Sequence, residues 1–126
     1  MITIASQWVG EATVDEVTAQ IPITVVWHDS DPLFLSCTFE GTKWEIGRDL
    51  IKAAYGNRSH PTGRGDVTAT VENFSLNLTL NTPEGVAKIW MPSWRMWDVL
   101  HRTYTYTPEG SEELDVDGAI ERILSS

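Results

Sequence analysis

The chain has 126 residues, a length that suits one domain able to bury its own core without cross-links. Eighteen acids against nine bases give a formal net charge of −9, which argues against general binding to nucleic acid or to anionic membranes. The single cysteine, Cys37, excludes an intramolecular disulfide and a cysteine-based zinc cluster, and no run approaches the roughly 18 apolar residues of a membrane span.

Met1 to Ser6 carries no basic residue and no long apolar run, so no secretory signal is expected there and a reducing cytoplasm is the default setting. Ile2, Ile4 and Trp8 alternate with polar positions and predict a half-buried strand. Thr13 to Ile21 predicts a second, partly solvated strand, which Pro22 is expected to interrupt before a third from Ile23 to His28. Asp29-Ser30-Asp31-Pro32 is a turn, because Asx side chains bond local amides and proline fixes φ. Leu33, Leu35, Cys37 and Phe39 then share one face of a strand, Gly41 turns the chain, and Thr42 to Ile46 returns as its hairpin partner.

A short helix is expected over about Arg48 to Tyr55, with Leu50, Ile51 and Ala54 on one face and Gly56 as a left-handed C-terminal cap. Val67, Ala69 and Val71 against Leu76, Leu78 and Leu80 predict a hairpin with one dry face. Pro83-Glu84-Gly85 turns into a strand from Val86 to Met91. A second helix starts at Pro92 or Ser93, with Ser93 as a candidate cap and Trp94, Trp97, His101 and Tyr104 at helical spacing beside Leu100. A third is expected from Asp115 or Asp117, with Val116, Ile120, Ile123 and Leu124 as its apolar stripe. Strands, a helix, strands and two helices make an α+β domain over residues 1–126, built on an antiparallel sheet.

Catalytic signals are weak. His28, Asp29 and Asp31 lie at a strand end, but successive strand residues point to opposite faces, so a solvated turn explains them. Cys37 sits within an alternating apolar face and reads as a buried, inert thiol rather than the nucleophile of a pair with His28, His60 or His101. No serine occupies a Gly-x-Ser-x-Gly elbow. The glycine-rich stretch from Pro61 to Asp66 leads into a strand, whereas a phosphate cradle leads into a helix. No catalytic, cofactor-binding or metal-binding residue is assigned.

Six tryptophans are many for this length. Trp8, Trp27 and Trp44 fall in strands and are expected in the core or on a sheet face. Trp90, Trp94 and Trp97 gather around the second helix. Core packing is expected for them, with a protein-binding surface as the alternative and a base-stacking platform as a further option. The charges are unevenly spread: Lys43, Arg48, Lys52, Arg58 and Arg64 supply five of the nine bases, and six of the eighteen acids follow residue 108. A basic patch on the first helix would suit an acidic peptide as well as a nucleic acid.

Five segments in order carry a family likeness. They are Asp31-Pro32 before a strand ending in Thr38-Phe39, Trp44 before Arg48-Asp49-Leu50, and Pro61-Thr62-Gly63-x-Gly65-Asp66-Val67. Pro83-Glu84-Gly85 and Asp115-x-Asp117 leading to Ile123-Leu124 complete the set. Together, over about residues 23–126, they resemble the SsgA-like sporulation and cell-division regulators of actinobacteria. The resemblance implies an antiparallel sheet of about seven strands with three helices, similar to the whirly-type single-stranded nucleic-acid-binding fold. It implies a cytoplasmic, non-enzymatic adaptor that assembles as a homo-oligomer such as a trimer. It also implies a place at division septa, recruiting the tubulin-like division protein FtsZ. Trp90, Trp94 and Trp97 stand where smaller or aliphatic residues would be expected in that family. Gly63, Gly65, Asp66, Arg48 and Asp49 read as scaffold positions, the last two capping or bridging at the helix start. Arg48, Lys52, Trp94 and Trp97 are the expected partner contacts, and a single-stranded nucleic-acid binder on the same fold is the alternative function.

Overall fold

The computed structural model describes residues 1–63 and 65–110. Seven strands form one antiparallel sheet: β1 (Thr3–Val14), β2 (Val17–His28), β3 (Phe34–Phe39), β4 (Thr42–Gly47), β5 (Val67–Glu72), β6 (Ser75–Thr82) and β7 (Gly85–Pro92). Two helices, α1 (Arg48–Gly56) and α2 (Ser93–Tyr106), complete the described elements. The strand order is β4-β3-β2-β1-β7-β6-β5, so the two hairpin systems meet where β1 pairs with β7. The third helix expected after Asp115, and Arg64, lie outside the described residues.

Period-2 alternation assigns the two faces. Ile4, Trp8, Ile21, Ile23, Val25 and Trp27 bury one face of the long β1–β2 hairpin. Leu35, Cys37 and Phe39 extend that face across β3, and Val71, Leu76, Leu78, Ile89 and Met91 extend it across β5 to β7. The sheet curls around this apolar side. Trp44 of β4 and Leu80 of β6, far apart in strand order, line one cleft of about 280 Å³ with Phe39 and Ile89. Burial pushes the Cys37 thiol up to about 12, and its Sγ approaches the Leu35 carbonyl. It is the inert core thiol the alternation predicts.

Pro22 does not interrupt its strand. β2 runs unbroken from Val17 to His28, with Val9 opposite Pro22. The Asp29 amide donates to the Ile2 carbonyl at 3.0 Å, which sets the phase of the ladder. Odd-numbered residues of β2 direct N–H toward β1, and even-numbered ones direct it to the other side. On that other side β3 begins pairing only at Ile23 opposite Phe39. Pro22 therefore lacks a donor where none is used. The chain reverses instead at Asp15 and Glu16, both with φ near +60° (50° and 66°), in a two-residue hairpin turn.

Where β1 and β7 converge, Gly10 is required. A Cβ there would lie 2.4 Å from Ile23 Cδ1 and 2.6 Å from the Trp90 carbonyl oxygen. Gly63 answers a similar constraint beside β5: its φ is +131°, and a Cβ would meet the Val67 carbonyl oxygen at 2.5 Å.

The helices cover one end of the curl. Ile51 and Ala54 of α1 and Met96, Val99 and Leu100 of α2 face the core. Gly56 is the last residue of α1 and does not take the left-handed cap expected of it. Asn57 finishes the helix instead: its amide N–H and its side-chain Nδ2 both donate to the Ala53 carbonyl at 3.0 Å. Once Asn57 supplies these donors, the left-handed glycine is unnecessary. Pro92 is the N-cap of α2 and Ser93 makes no capping bond through its side chain. The Ser93 amide donates to the Phe74 carbonyl at 2.8 Å, tying α2 to the β5–β6 turn.

Candidate protein-docking interface

The site begins with a buried joint. Arg48 opens α1, and its amide donates to the Leu33 carbonyl at 2.9 Å. Its side chain is fully buried, with the guanidinium carbon 4.0 Å from the centre of the Tyr104 ring and 5.9 Å from that of Trp27. Nη1 donates to Thr103 Oγ1 at 3.3 Å and Nη2 to the Thr107 carbonyl at 2.7 Å. That carbonyl belongs to the C-cap of α2, where backbone acceptors and the helix dipole favour a cation. One turn of the same joint is made by Asp49, whose Oδ1 accepts from the Tyr104 hydroxyl at 2.7 Å. Burial and the Asp49 carboxylate both push the Tyr104 hydroxyl above its ordinary value. Arg48 and Asp49 thus bridge α1 to the end of α2, as their scaffold reading expects. The buried Arg48 cannot itself contact a partner, which corrects its expected role as a contact residue.

With α1 and α2 joined at one end, a groove opens between them. One part, about 430 Å³, is lined by Lys52, Tyr55, Arg58, Ser93, Trp94 and Trp97. The second, about 300 Å³, shares Lys52 and Trp97 and continues past His101 and Tyr104 to Pro108 and Glu109. Tyr55 forms the floor: its hydroxyl donates to the Ser93 carbonyl and its ring meets Trp97 at 5.0 Å between centroids. Burial pushes the Tyr55 hydroxyl up as well, so the floor stays neutral.

Trp94 is 59% exposed, Trp97 48% and Trp90 42%. Core packing, expected for all three, is therefore overturned. On α2 the inward stripe is Met96, Val99, Leu100 and Thr103, at i, i+3, i+4 and i+7. Trp94 and Trp97 fall on the neighbouring stripe and are left outside. In β7 the inner positions belong to Ile89 and Met91, so Trp90 must face outward, between Glu11 and Asn77 on the flanking strands. Trp27, by contrast, is fully buried and donates Nε1–H to the Pro32 carbonyl at 3.1 Å.

Cations gather at the groove. Lys52 pairs with Glu109 and lies 5.1 Å from the Tyr104 ring centre. Arg58 lines the first part and donates to the Asn73 carbonyl at 3.2 Å. Arg95 stacks 4.3 Å above the Trp94 ring. Lys52, Trp94 and Trp97, expected as contacts from two separate sequence features, line one groove. Sequence reasoning missed Tyr55 as the floor and Phe74, 86% exposed at the turn bound to Ser93, as a further apolar group at this end. The signal for Phe74 was available: it stands in the Asn73-Phe74 turn of a clean hairpin, where no core position exists.

His28 bonds Thr3 across β1–β2 at 2.9 Å. Among the described residues no group of three or more His, Cys, Asp or Glu side chains could hold a metal ion. No described helix is long and apolar enough to cross a membrane.

The curled antiparallel sheet with helices closing one end defines the class of protein, and comparison with known proteins places it. Residues 21–112 match the family model described as "Streptomyces sporulation and cell division protein, SsgA". The chain belongs to this SsgA family of sporulation and cell-division proteins. It is 33% identical over 92 residues to the sporulation-specific cell division protein SsgB of Salinispora tropica, covering 68% of this chain and 62% of that protein's length. It is 27% identical over 121 residues to SsgB of Streptomyces coelicolor, covering 87% of this chain and 86% of that protein. Two solved structures share the fold at 24% identity. An SsgA-like sporulation-specific cell division protein from Thermobifida fusca has a TM-score of 0.81, with 96% of this chain and 95% of that one covered. An SsgB structure, from work on longitudinal cell division during sporulation of Streptomyces coelicolor, has a TM-score of 0.78, with 89% and 94% covered.

Proposed function

We propose that this protein is a non-enzymatic cytoplasmic adaptor of sporulation-specific septation that recruits FtsZ to the division site through the groove between α1 and α2. The observation that carries this reading is the orientation of α2. Its largest apolar side chains, Trp94 and Trp97, face solvent beside cations, while smaller residues hold it to the core. Exposed aromatics around a basic rim are the composition of interface anchors. Lys52, Trp94 and Trp97 make the contacts, and Arg48 fixes the angle between the two helices that carry them. Assembly into a homo-oligomer such as a trimer would present several grooves at once and raise effective affinity.

The test is direct binding of the purified protein to purified FtsZ of the same host, compared with Trp94→Ala/Trp97→Ala. Loss of binding by the double variant, with an unchanged circular dichroism spectrum, supports the reading. Equal binding by the two sinks it. A second reading, a single-stranded nucleic-acid binder of whirly type, draws on Trp90, which lies with Lys88 on the outer sheet face. Glu11 and Glu72 line the same cleft and oppose phosphates. Salt-dependent quenching of tryptophan emission by oligothymidylate would favour it over the adaptor.

A further inference from the structure

The groove also specifies what kind of segment it would take, and this inference rests on the docking reading above. In a chain of net charge −9, the 430 Å³ part presents Lys52 and Arg58 over an aromatic floor. None of the described residues lining that part carries a carboxylate. The adjoining part shows what such a surface accepts, because the Glu109 carboxylate, supplied by the chain leaving α2, pairs with Lys52 there. Both members of the pair remain substantially exposed, at 44% and 61%, so the contact is weak and open to exchange. Tyr55, Trp94 and Trp97 meanwhile offer an apolar floor that Glu109 does not cover.

We infer that the groove binds a short acidic segment of the partner, with a bulky apolar anchor on Tyr55, Trp94 and Trp97 and a carboxylate that replaces Glu109 at Lys52. Complementary charge selects the segment and orients it, and the aromatic floor holds it. Glu109 is then an internal competitor whose removal strengthens binding.

The probe is a fluorescein-labelled peptide, Asp-Asp-Leu-Asp-Phe-Leu-Asp-Asp, titrated with the full chain and read by anisotropy. Its control carries Asn for every Asp. The acidic probe should bind about tenfold more tightly than the control, and Lys52→Glu should erase most of that difference. Glu109→Gln should tighten binding roughly threefold, the scale of one exposed ion pair. Equal affinity for both probes, insensitivity to Lys52→Glu, or weaker binding by Glu109→Gln would each overturn the inference. So would a labelled oligothymidylate that displaces the peptide, since phosphate would then be the better ligand. Binding to purified FtsZ separates this from the broader reading. If FtsZ binding is lost in Trp94→Ala/Trp97→Ala but unchanged in Lys52→Glu, the groove docks its partner without an acidic segment and only this inference fails. If the tryptophan variant still binds, both fail.

Discussion

The two sides of α2 are built from opposite choices. Met96, Val99, Leu100 and Thr103 face the sheet, while Trp94 and Trp97 face outward. An amphipathic helix ordinarily gives its largest apolar groups to the core. Here the larger groups are outside, and the curled sheet, already filled by Trp8 and Trp27, takes the slimmer ones. The contrast teaches that side-chain size did not decide burial. The inner stripe was set by what fits against β1, β6 and β7, and the outer tryptophans are left to line the groove.

That contrast can be broken by mutation. The largest effect is expected at the joint beneath both faces. Arg48→Ala removes hydrogen bonds to Thr103 and Thr107 and ring contacts with Tyr104 and Trp27 from a fully buried site, and should destabilise by about 3 kcal/mol in urea unfolding. Met96→Ala, on the inner face, should cost about 2 kcal/mol by the same measurement, as a cavity-forming core substitution does. On the outer face Trp97→Ala loses its ring contacts with Tyr55 and His101 and should cost about 1 kcal/mol. Trp94→Ala should stay within about 0.5 kcal/mol. A ranking in which Trp94→Ala destabilises as much as Met96→Ala would show that the outer face is structural.

The smallest effect at neutral pH concerns Cys37. Its thiol is held up to about 12 by burial, against an ordinary value of 9.0. The native fold therefore retains a proton that the unfolded chain releases. This contribution is fully present below pH 9 and is lost as pH rises toward 12. Cys37→Ala should flatten the alkaline end of the stability profile, and the native thiol should resist a disulfide reagent at pH 8 until the protein unfolds.

Much of this was legible in the sequence because alternation states its own register. Val67, Ala69 and Val71 against Leu76, Leu78 and Leu80 could pair in only one way with a dry face. Pro22 misled because a proline's effect depends on which neighbour its missing donor would serve, and that depends on where β3 stops. The tryptophans misled because two stripes on α2 satisfied helical periodicity equally, and only the shape of the sheet chose between them. For Trp90 the outward position was readable, since Ile89 and Met91 already claimed the inner face. Burial of Arg48 came from partners distant in sequence, among them Trp27, Thr103, Tyr104 and Thr107, so no local pattern announced it. Of the groove residues, Lys52, Trp94 and Trp97 came from composition and spacing, while Tyr55 became part of the floor only once α1 and α2 were set side by side.

A partner docked in the groove between α1 and α2 would shield both helices from solvent. Hydrogen–deuterium exchange of the full chain, with and without saturating purified FtsZ, tests this most directly. New protection is expected in peptides spanning residues 48–58 and 93–109, with little change over 67–72 on β5. Protection confined to β5–β7 and Trp90, with the two helices unchanged, would contradict docking in the groove.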